Sequence, residues 1–464
     1  SGGMMHTDSS GTASATHAPI ALEPRREGNL LVADTRPGQA LGVRNDFAYD
    51  VAVVGMGYVG LPTALSFTTA GLSVIGVDLN PERLHDIRVG TVDLVPADVA
   101  RLVTALAERS LALTSSAEVI GQAATVIICV PTPVDRHLVP DLRALRAACG
   151  SVVSHASDGQ TIVLTSTSYV GTTRDLLAKP LTQRGFAVGQ DLYVAFSPER
   201  IDPANEEYPQ EIVPRVVGGV TSDCTQRAAA AISTYAQRVH PVSSPEAAEL
   251  TKLLENTFRA VNIAMINEIA DLSETLGIEI TEVIDAANTK PYGFMAFSPG
   301  PGVGGHCIPC DPHYLLWQLK DSRVALPLVE RAMTSISLRP RQVVRRIREL
   351  LSDSGRPIRE AHVLVVGCAY KPGVADYRES PALEVLELLE LAGARVSYYD
   401  PRVPELRHHD GQVRRGVDDP TADQADLVLL HTLHPDTNYD WVVEHPLVLD
   451  ATFRFTQAPD RALL

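Results

Sequence analysis

The segment from Pro299 to Pro312 combines a thiol and a carboxylate within a glycine-rich stretch, residue types that could do chemistry. Its glycines and prolines exclude a regular helix or a strand interior, so they predict a shaped loop that approaches another group closely. Cys307 and Asp311 are four positions apart and share a side if the chain turns helical after Pro309. A thiol beside a carboxylate suits covalent catalysis followed by attack of water. A glycine-rich turn with a structural cysteine is the alternative that this segment leaves open.

Composition limits the classes of protein that could carry this loop. At 464 residues the chain is too long for one core, which predicts two or three domains. The formal charge of −16 argues against non-specific nucleic-acid binding. No apolar run has the length of a membrane span, and the start of the chain lacks the pattern of a signal peptide. Six cysteines in a chain of this length are not a disulfide framework, so we expect a cytoplasmic protein with reduced thiols.

The first of the elements that must position the loop follows a tail. Residues 1–48 are rich in Ser, Thr, Ala and Gly, and we predict that they are disordered. The apolar run from Tyr49 to Val54 predicts a buried strand. It leads into Gly55-Met56-Gly57-Tyr58-Val59-Gly60 and then a helical pattern, which is the G-x-G-x-x-G motif in its strand–turn–helix context. Such glycines let backbone N–H groups approach a pyrophosphate.

The residue that ends the second strand favours one dinucleotide over another. Asp78 follows the run from Ser73 to Val77 and lies 23 positions after Gly55. That spacing suits a carboxylate that binds the ribose hydroxyls of NAD, whereas a 2′-phosphate would be repelled. NAD is therefore the expected cofactor.

Three later strands deliver polar residues at their carboxyl ends, where ligands bind in open α/β sheets. Thr132 follows the run 125–130, Thr165-Ser166-Thr167 follow the run 161–164, and Glu199-Arg200 follow the run 192–196. We expect these residues to face the reactive end of the cofactor. For each of them the alternative is a simple turn residue.

A long helix is predicted from Ser244 to about Gly277, because Ser-Pro-Glu is an N-terminal signature and no Gly or Pro follows until Gly277. Lys252 and Asn256 are four apart and share one face of it, as a site or as part of a solvated stripe.

The last region repeats the first. Another strand runs into Gly367, and the stretch from Gly393 to Asp400 mirrors the one that ends at Asp78. The later glycines are absent, and Lys371 in the loop suits a different phosphorylated ligand.

The predicted fold is α/β, with two Rossmann-like, doubly wound parallel-sheet domains joined by a long central helix. The predicted boundaries are an NAD-binding domain at 49–240, a central helical region with the cysteine loop at 241–345, and a second Rossmann-like domain at 346–464.

Taken together, these motifs resemble the UDP-glucose/GDP-mannose dehydrogenase family of nucleotide-sugar 6-dehydrogenases. The resemblance extends from Val51 to Arg454, and six spaced motifs in the family's order make it specific. The motifs are Gly55–Gly60 with Asp78, Val130–Pro133, Phe196–Arg200, Lys252–Asn256, the Gly-Gly-His-Cys loop to Asp311, and Tyr370–Pro372 with Arg378–Ser380.

The resemblance implies oxidation of the sugar C6 hydroxyl to a carboxylate with two NAD, through a thiohemiacetal and a thioester on Cys307. Lys252 would stabilise negative charge on oxygen, and Asn256 would orient the sugar. Asp311 and Glu199 are the acid–base candidates, and Thr132 would position a water. The implied cofactor-binding residues are Gly55, Gly57, Tyr58, Val59, Gly60, Asp78, Arg83, Pro131, Thr132, Ser166 and Thr167. The implied substrate-binding residues are Glu199, Arg200, Lys252, Asn256, Lys290, Tyr292, Phe294, Gly304, Lys371 and Arg378.

The family implies a nucleotide-sugar substrate, no nucleic-acid or membrane partner, and a homodimer paired across the central helix. It thereby implies that 241–345 is the dimerisation region and that 346–464 is a UDP-sugar-binding domain. Within it, Thr289–Met295 and Ser168–Thr173 most resemble the branch that oxidises UDP-N-acetylglucosamine. The UDP-glucose and UDP-N-acetylmannosamine branches are the alternatives. A two-electron hydroxy-acid or sugar dehydrogenase on the same fold, and an idle nucleotide-sugar-binding protein, are alternatives of other classes.

Two positions depart from the family pattern. Thr165 stands where a glutamate is usual, and Cys310 stands where an aliphatic residue is usual. Cys307 and Cys310 form C-x-x-C, but no second such pair completes a zinc site, so no metal is expected. We hypothesise instead that oxidation pairs these two thiols and stops activity.

Overall fold

The computed structural model describes residues 31–32, 47–92, 94–135, 137–200, 208, 210–305, 307–407, 411–458 and 460–464. Most of the tail predicted to be disordered lies outside this part of the chain, although residues 31–32 form a strand. The strands are β1 Leu31–Val32, β2 Tyr49–Val54, β3 Val74–Val77, β4 Leu111–Thr114, β5 Ala123–Ile128, β6 Thr161–Leu164, β7 Tyr193–Phe196, β8 Arg215–Gly219, β9 Arg238–Val242, β10 His362–Val366, β11 Arg395–Tyr399, β12 Glu405–Arg407, β13 Val413–Arg415, β14 Leu427–Leu430, β15 Val448–Asp450 and β16 Ala462–Leu463.

Helices alternate with the strands through both sheet regions, and the longest two lie between them. The α-helices are α1 Gly60–Thr69, α2 Pro81–Val89, α3 Pro96–Ala107, α4 Arg143–His155, α5 Lys179–Gln183, α6 Ser222–Ile232, α7 Pro245–Leu276, α8 Ile280–Asn288, α9 Asp311–Ser322, α10 Pro327–Asp353 and α11 Pro381–Leu391. Within the described residues, none of these helices is both long enough and apolar enough to cross a membrane.

Two mostly parallel sheets organise the chain, which confirms the predicted fold class. The first has the order β1-β9-β8-β7-β6-β5-β2-β3-β4, and the second has the order β11-β10-β14-β15-β16. All pairs in the second sheet are parallel. The first sheet departs from a purely parallel order at β7–β8 and β1–β9, which are antiparallel.

Both faces of each sheet are buried, as a doubly wound fold requires. In β2, Val51 and Val53 enter one apolar cluster, while Ala52 and Val54 enter the cluster on the opposite face. Strand β10 divides its residues in the same way between two further clusters. The near-continuous apolar runs of β2 and β10 have this cause, because both faces of these strands are covered.

Helix α7 links the two sheet regions and agrees with the helix predicted from the sequence. The Ser244 hydroxyl accepts a hydrogen bond from the Ala247 N–H at 3.2 Å, and Gly277 ends the helix in the left-handed region at φ +67°. The helix packs on β7 and β8 of the first sheet and on α9 and α10. Helix α10 in turn packs on α11 of the second sheet region. Helix α10 runs from Pro327 to Asp353 and contains Pro340 in its interior.

Candidate active site

The glycine turn between β2 and α1 is shaped by close backbone contacts. Gly55 has φ +93°, and a Cβ there would lie 2.3 Å from the Cys129 carbonyl oxygen. A Cβ on Gly60 would lie 1.7 Å from the Gly55 carbonyl oxygen. At Gly57, by contrast, a Cβ would meet no atom within 4 Å. Open space beside the middle glycine, in front of the first turn of α1, fits a dinucleotide pyrophosphate.

Asp78 lies at the end of β3 and fixes this turn. Its carboxylate accepts hydrogen bonds from the Met56 N–H at 2.8 Å and the Asn80 N–H at 2.9 Å. The Arg83 Nε donates to the Met56 carbonyl oxygen at 2.8 Å. Asp78 remains half-buried, so its carboxylate is still accessible to a ribose.

Tyr58, in the same turn, connects the first sheet region to the second. The guanidinium carbon of Arg378 lies 4.2 Å from the centroid of the Tyr58 ring, and that of Arg83 lies 6.0 Å from it. Arg378 is held by Asp376, to which its Nε and Nη2 donate at 2.9 and 2.6 Å. The predicted cofactor-binding turn therefore contacts a predicted substrate-binding arginine.

The loops after β5 and β6 are cross-linked by side chains. The Thr165 hydroxyl donates to the Ile128 carbonyl oxygen at 2.8 Å, and the Ser166 hydroxyl accepts from the Val130 N–H at 2.9 Å. This network accounts for the polar residues at the strand ends, including the threonine that departs from the family pattern. Thr167 follows half-buried, and Pro131 is exposed.

The first turn of α9 holds the loop that contains Thr132. The Tyr314 hydroxyl donates to the Thr132 carbonyl oxygen at 2.9 Å, and Tyr314 is fully buried. The Val134 backbone hydrogen-bonds the thiol of Cys310, which is four residues before Tyr314 on the same helical face. These hydrogen bonds hold the loop after β5 against the segment 299–312, the thiol loop.

Cys307 is the exposed cysteine among the six of this chain, all of which lie in the described part. Its carbonyl oxygen accepts hydrogen bonds from the Asp311 N–H at 2.8 Å and the Cys310 N–H at 3.2 Å, so a tight turn leads directly into α9. Burial raises the pKa of Cys129, Cys149 and Cys310 to about 12. Those thiols stay protonated at neutral pH, and Cys307 is the thiol available to a ligand.

Asp311, Asn256 and Lys252 form one buried cluster between α9 and α7. The Asn256 Nδ2 donates to the Asp311 Oδ2 at 2.5 Å, and the exposed fractions of Asp311, Asn256 and Lys252 are only 4%, 4% and 8%. Burial raises the pKa of Asp311 to about 6, although the Lys252 charge and the Asn256 amide oppose that rise. A carboxyl with this pKa can exchange a proton near neutral pH.

Glu199 and Arg200 are both engaged by other charged residues. Both oxygens of Glu199 accept from the Nη1 of Arg215 at 2.9 Å, and Arg215 is 2% exposed. The Nη2 of Arg200 donates to Glu255 at 2.7 Å, and its Nη1 donates to the Pro214 carbonyl oxygen at 2.6 Å. Because Glu255 lies one turn from Lys252 on α7, these pairs join the loop after β7 to the helix that carries the cluster.

The glycine-rich loop before Cys307 lies against the second sheet region. A Cβ on Gly304 would lie 2.7 Å from the Glu379 carbonyl oxygen and 2.8 Å from the Tyr370 Cβ. Gly305, at φ +80°, would place a Cβ 3.0 Å from the Tyr370 ring. These glycines permit a contact that any side chain would prevent. The contact places Cys307 near the loop that carries Lys371, which is half-buried.

The segment after α8 is less closely tied to the cluster. The Lys290 ammonium lies 5.0 Å from the centroid of the Tyr292 ring, and both side chains are exposed. Phe294 is half-buried. The contact that the structure gives Lys290 and Tyr292 is with each other, on the surface of this chain.

Four residues that position the site are missing from the sequence prediction. Tyr314 and Arg215 are described above. Glu249 of α7 accepts from the Gly171 N–H at 2.6 Å and the Thr173 N–H at 2.9 Å, which fixes the loop after β6. Arg339 donates to the Gly300 carbonyl oxygen at 2.9 Å at the start of the thiol loop. The one available signal was helical spacing, since Glu249, Lys252 and Asn256 share a face of α7.

Comparison with known proteins matches three consecutive regions of the chain to one family. Residues 49–238 match the NAD binding domain of the UDP-glucose/GDP-mannose dehydrogenase family, residues 246–335 its central domain, and residues 364–456 its UDP binding domain.

Individual relatives have related names. The UDP-N-acetyl-D-mannosamine dehydrogenase of Pyrococcus horikoshii is 32% identical over 411 residues, which cover 86% of this chain and 94% of the relative. The enzyme of the same name from Escherichia coli K12 is 33% identical over 350 residues, which cover 73% and 82%. These names correct the expectation that the chain is closest to the UDP-N-acetylglucosamine branch.

Solved structures of nucleotide-sugar dehydrogenases also resemble this chain over most of its length. The structure of the Pyrococcus horikoshii UDP-D-ManNAc dehydrogenase has a TM-score of 0.79 at 32% identity and covers 87% of this chain and 95% of its own. A UDP-glucose dehydrogenase from Pyrobaculum islandicum has a TM-score of 0.78 at 27% identity, with 91% and 98% covered.

Proposed function

Because the chain belongs to the UDP-glucose/GDP-mannose dehydrogenase family, we propose that it oxidises the C6 hydroxyl of a UDP-sugar to a carboxylate through a covalent adduct on Cys307. The family makes the chain an NAD-dependent nucleotide-sugar dehydrogenase. The observation that carries the covalent step is the exposed Cys307 thiol, one turn from the buried cluster of Lys252, Asn256 and Asp311.

The proposed reaction proceeds in two oxidations. The C6 alcohol first loses a hydride and a proton to give an aldehyde. The Cys307 sulfur adds to the aldehyde carbon, and the resulting thiohemiacetal loses a second hydride and a proton to give a thioester. Water then displaces the thiolate and leaves the carboxylate. A thiol suits both stages, because its adduct can lose hydride and the thiolate is a good leaving group.

The buried cluster supplies the charges that this sequence needs. Lys252 would stabilise the negative charge that develops on the C6 oxygen, and its low exposure strengthens that interaction. Asn256 orients Asp311 through the hydrogen bond from its Nδ2, and its side chain would also orient the sugar. Asp311 would remove a proton from the attacking water, for which a pKa of about 6 is suited. Asp311 is the better placed of the two acid–base candidates, because both oxygens of Glu199 are bonded to Arg215.

NAD, when bound, accepts the hydride of each oxidation. Gly57, with the first turn of α1, would hold its pyrophosphate, and Asp78 its ribose. Ser166 and Thr132 lie in the cross-linked loops after β6 and β5, where they would line the nicotinamide end, and Thr132 would position a water. Tyr58 and Arg378 would close over the cofactor from opposite sides of the cleft.

The UDP part of the substrate would bind to the C-terminal region. Its match to the UDP binding domain of the family supports this placement. Lys371 would face the nucleotide, and the contact of Gly304 with the same loop would bring the sugar to Cys307. We propose the domain limits 49–240 for NAD binding, 241–345 for the central helices with the thiol loop, and 346–464 for UDP binding.

We propose UDP-N-acetyl-D-mannosamine as the first substrate to test, because relatives covering most of this chain are named for it. The assay measures NADH formed per sugar consumed, with UDP-N-acetylmannosamine, UDP-N-acetylglucosamine, UDP-glucose and GDP-mannose side by side. Two NADH per sugar is the expected result for the true substrate. One NADH per sugar would demote Cys307 to a structural residue and favour a two-electron dehydrogenase.

The covalent step is tested separately with Cys307→Ser. A serine hydroxyl is a far weaker nucleophile, so the variant should form no acid product from the UDP-sugar while retaining NAD affinity. Mass spectrometry of the parent protein quenched during turnover should detect the sugar attached to Cys307. The same experiment on Cys149→Ser, a buried thiol away from the loop, serves as the control and should leave turnover intact.

We also propose that the active protein is a homodimer paired across α7. An apolar stripe runs along this helix with helical spacing, and its members are 39–63% exposed: Leu250, Leu254, Phe258, Met265, Ile269, Leu272 and Leu276. A self-complementary stripe on a helix of 32 residues fits a second copy of the chain about a two-fold axis.

Light scattering after size exclusion decides this point. Leu254→Glu combined with Leu272→Glu should convert a dimer to a monomer, because the charges would be buried without partners. Leu391→Glu, on α11 and 83% exposed, is the control that should not change the mass. A parent protein that elutes as a monomer at assay concentration would refute the proposal.

A further inference from the structure

The end of β10 in the C-terminal region repeats three hydrogen bonds found at the end of β2. The Gly367 N–H donates to the Tyr399 carbonyl oxygen at 2.8 Å, as the Gly55 N–H donates to that of Val77 at 2.8 Å. Asp400 accepts from the Cys368 N–H at 2.7 Å and from the Arg402 N–H two residues on at 2.9 Å. Asp78 accepts from the corresponding N–H groups in the first copy. Asp400 is therefore the structural counterpart of the ribose-binding carboxylate.

The two carboxylates differ in what occupies their remaining acceptor sites. Asp78 is half-buried, whereas Asp400 is 5% exposed and accepts a further hydrogen bond from the Nε2 of His434 at 3.0 Å. Burial disfavours ionisation of Asp400, but the hydrogen bonds from His434 and the Cys368 N–H outweigh it and hold its pKa below the ordinary value. Asp400 is thus bonded by an imidazole of the chain itself, whereas the Asp78 carboxylate keeps a solvent-accessible side.

The second nitrogen of His434 reaches the loop that carries Lys371. The Gly373 N–H donates to the Nδ1 of His434 at 3.0 Å, which fixes the tautomer, with the proton on Nε2 directed at Asp400. Arg402 completes the arrangement, because its Nη1 donates to the Gly373 carbonyl oxygen at 3.0 Å. Both backbone groups of Gly373, a left-handed residue at φ +81°, are therefore held by side chains.

We propose that His434 is a positioning residue for the nucleotide, which fixes the turn from Tyr370 to Gly373 so that Lys371 is presented to UDP. This inference rests on the proposed binding of UDP to the C-terminal region. It assigns the duplicated carboxylate a new use, since Asp400 orients His434 and no longer binds a ligand.

Two substitutions separate the two nitrogens of His434. In His434→Gln the side-chain amide reaches the position of Nε2, so the bond to Asp400 is kept and the acceptor for Gly373 is lost. In His434→Asn the amide oxygen takes the position of Nδ1, so the acceptor is kept and the donor to Asp400 is lost. His445→Asn is the control, since His445 bonds the Ala425 and Leu447 carbonyl oxygens away from the turn.

The readouts are the dissociation constant of UDP, that of NAD, and hydrogen exchange of peptides spanning 370–378. His434→Gln should weaken UDP about fivefold, the size expected for one lost ordering hydrogen bond, and should speed exchange in that peptide. His434→Asn should stay within about twofold of the parent for UDP and should keep the exchange slow. NAD affinity should not change in either variant.

Unchanged UDP affinity and unchanged exchange in His434→Gln would overturn the inference. Equal loss of UDP affinity in both variants, together with a fall in NAD affinity, would also overturn it, since general loss of packing would then be the cause. The reaction itself is judged by NADH yield. A parent protein that binds UDP but oxidises no UDP-sugar would refute the proposed function and still allow the role of His434 to be decided.

Discussion

The ionisation of Asp311 gives the sharpest prediction about the chemistry. Asp311 is buried against Asn256 and Lys252, and its pKa is raised from 3.8 to about 6. If the ionised form activates the water that hydrolyses the thioester, the rate of that step should follow the ionised fraction. The Asp311→Asn variant keeps the shape and a hydrogen-bond acceptor for Asn256, but it removes the base.

The raised pKa of Asp311 determines how much the hydrolysis rate changes and over which pH range it changes. With a pKa of about 6, about nine in ten Asp311 side chains are ionised at pH 7 and about one in ten at pH 5. Thioester hydrolysis should therefore slow about tenfold between pH 7 and pH 5. An ordinary aspartate would leave the rate unchanged over this range. In Asp311→Asn the step should be slower by a factor of about 100 to 10,000 at pH 7, and its dependence on pH should disappear.

Single-turnover experiments with excess enzyme resolve this step. Acid quench followed by mass spectrometry gives the amount of sugar bound to Cys307 at each time and pH. The acyl adduct should accumulate in Asp311→Asn and in the parent protein at pH 5. A hydrolysis rate that is flat from pH 7 to pH 5, or an Asn variant that hydrolyses at the parent rate, would refute the reasoning.

The same shift has a consequence for stability, with a sign that follows from the direction of the change. Because the folded pKa is raised above the unfolded value, the contribution of Asp311 is fully present below pH 3.8 and is lost as the pH rises through about 6. The loss is on the order of 3 kcal/mol. Urea unfolding of parent and Asp311→Asn should show the difference between their unfolding free energies changing by this amount between pH 4 and pH 8.

Four further predictions concern residues in and around the site. Gly60→Ala should lower the free energy of unfolding by about 3 kcal/mol, because its Cβ would overlap a carbonyl oxygen at 1.7 Å, as urea unfolding will show. Gly57→Ala meets no atom within 4 Å, so it should fold with a loss below about 1 kcal/mol and yet weaken NAD about tenfold in a fluorescence titration. Tyr314→Phe should cost about 1 kcal/mol of stability and raise the KM for NAD more than it lowers kcat, since the loop after β5 loses its anchor; equal changes in both would argue for packing alone. Hydrogen peroxide should inactivate the parent protein with recovery by dithiothreitol, because it oxidises Cys307 to a sulfenic acid that condenses with the Cys310 thiol to a disulfide and releases water. In Cys310→Val the sulfenic acid has no thiol to condense with, so a second equivalent of peroxide should oxidise it to the sulfinic acid, which dithiothreitol does not reduce. Full activity of the peroxide-treated parent, with both thiols unmodified, would exclude the pairing.

Local features were readable from the sequence because their causes are local. A glycine turn needs left-handed backbone and close contacts, so Gly55 and Gly60 appear in the sequence as glycines at fixed spacing. Strands buried on both faces read as apolar runs, and β2 and β10 were predicted on that basis. Ser244 and Gly277 mark the ends of α7 because capping needs a short hydroxyl side chain at one end and positive φ at the other.

The sequence also showed that the strand–turn–carboxylate unit is repeated, but it did not show which group the second carboxylate bonds. Asp400 mirrors Asp78 in sequence, and both accept backbone N–H groups in the same way. Whether such a carboxylate faces a ligand or the interior depends on a side chain from a distant strand end. In this chain that side chain is His434, which the sequence did not single out.

Only the tertiary structure decided which of the candidate residues act together. The side chains of Asn256 and Asp311 bond across 55 positions of sequence, and Tyr314 reaches the Thr132 loop across 182. The burial that raises the pKa of Asp311 comes from α7 and α9 packing together, and no spacing rule encodes it. The partner of Glu199 is likewise set by fold, because β8 runs antiparallel to β7 and brings Arg215 beside it. Residue types and local periodicity thus determined which reactive groups the chain contains and which helices and strands carry them. Long-range packing determined which of these groups meet, how deeply they are buried and how readily they ionise.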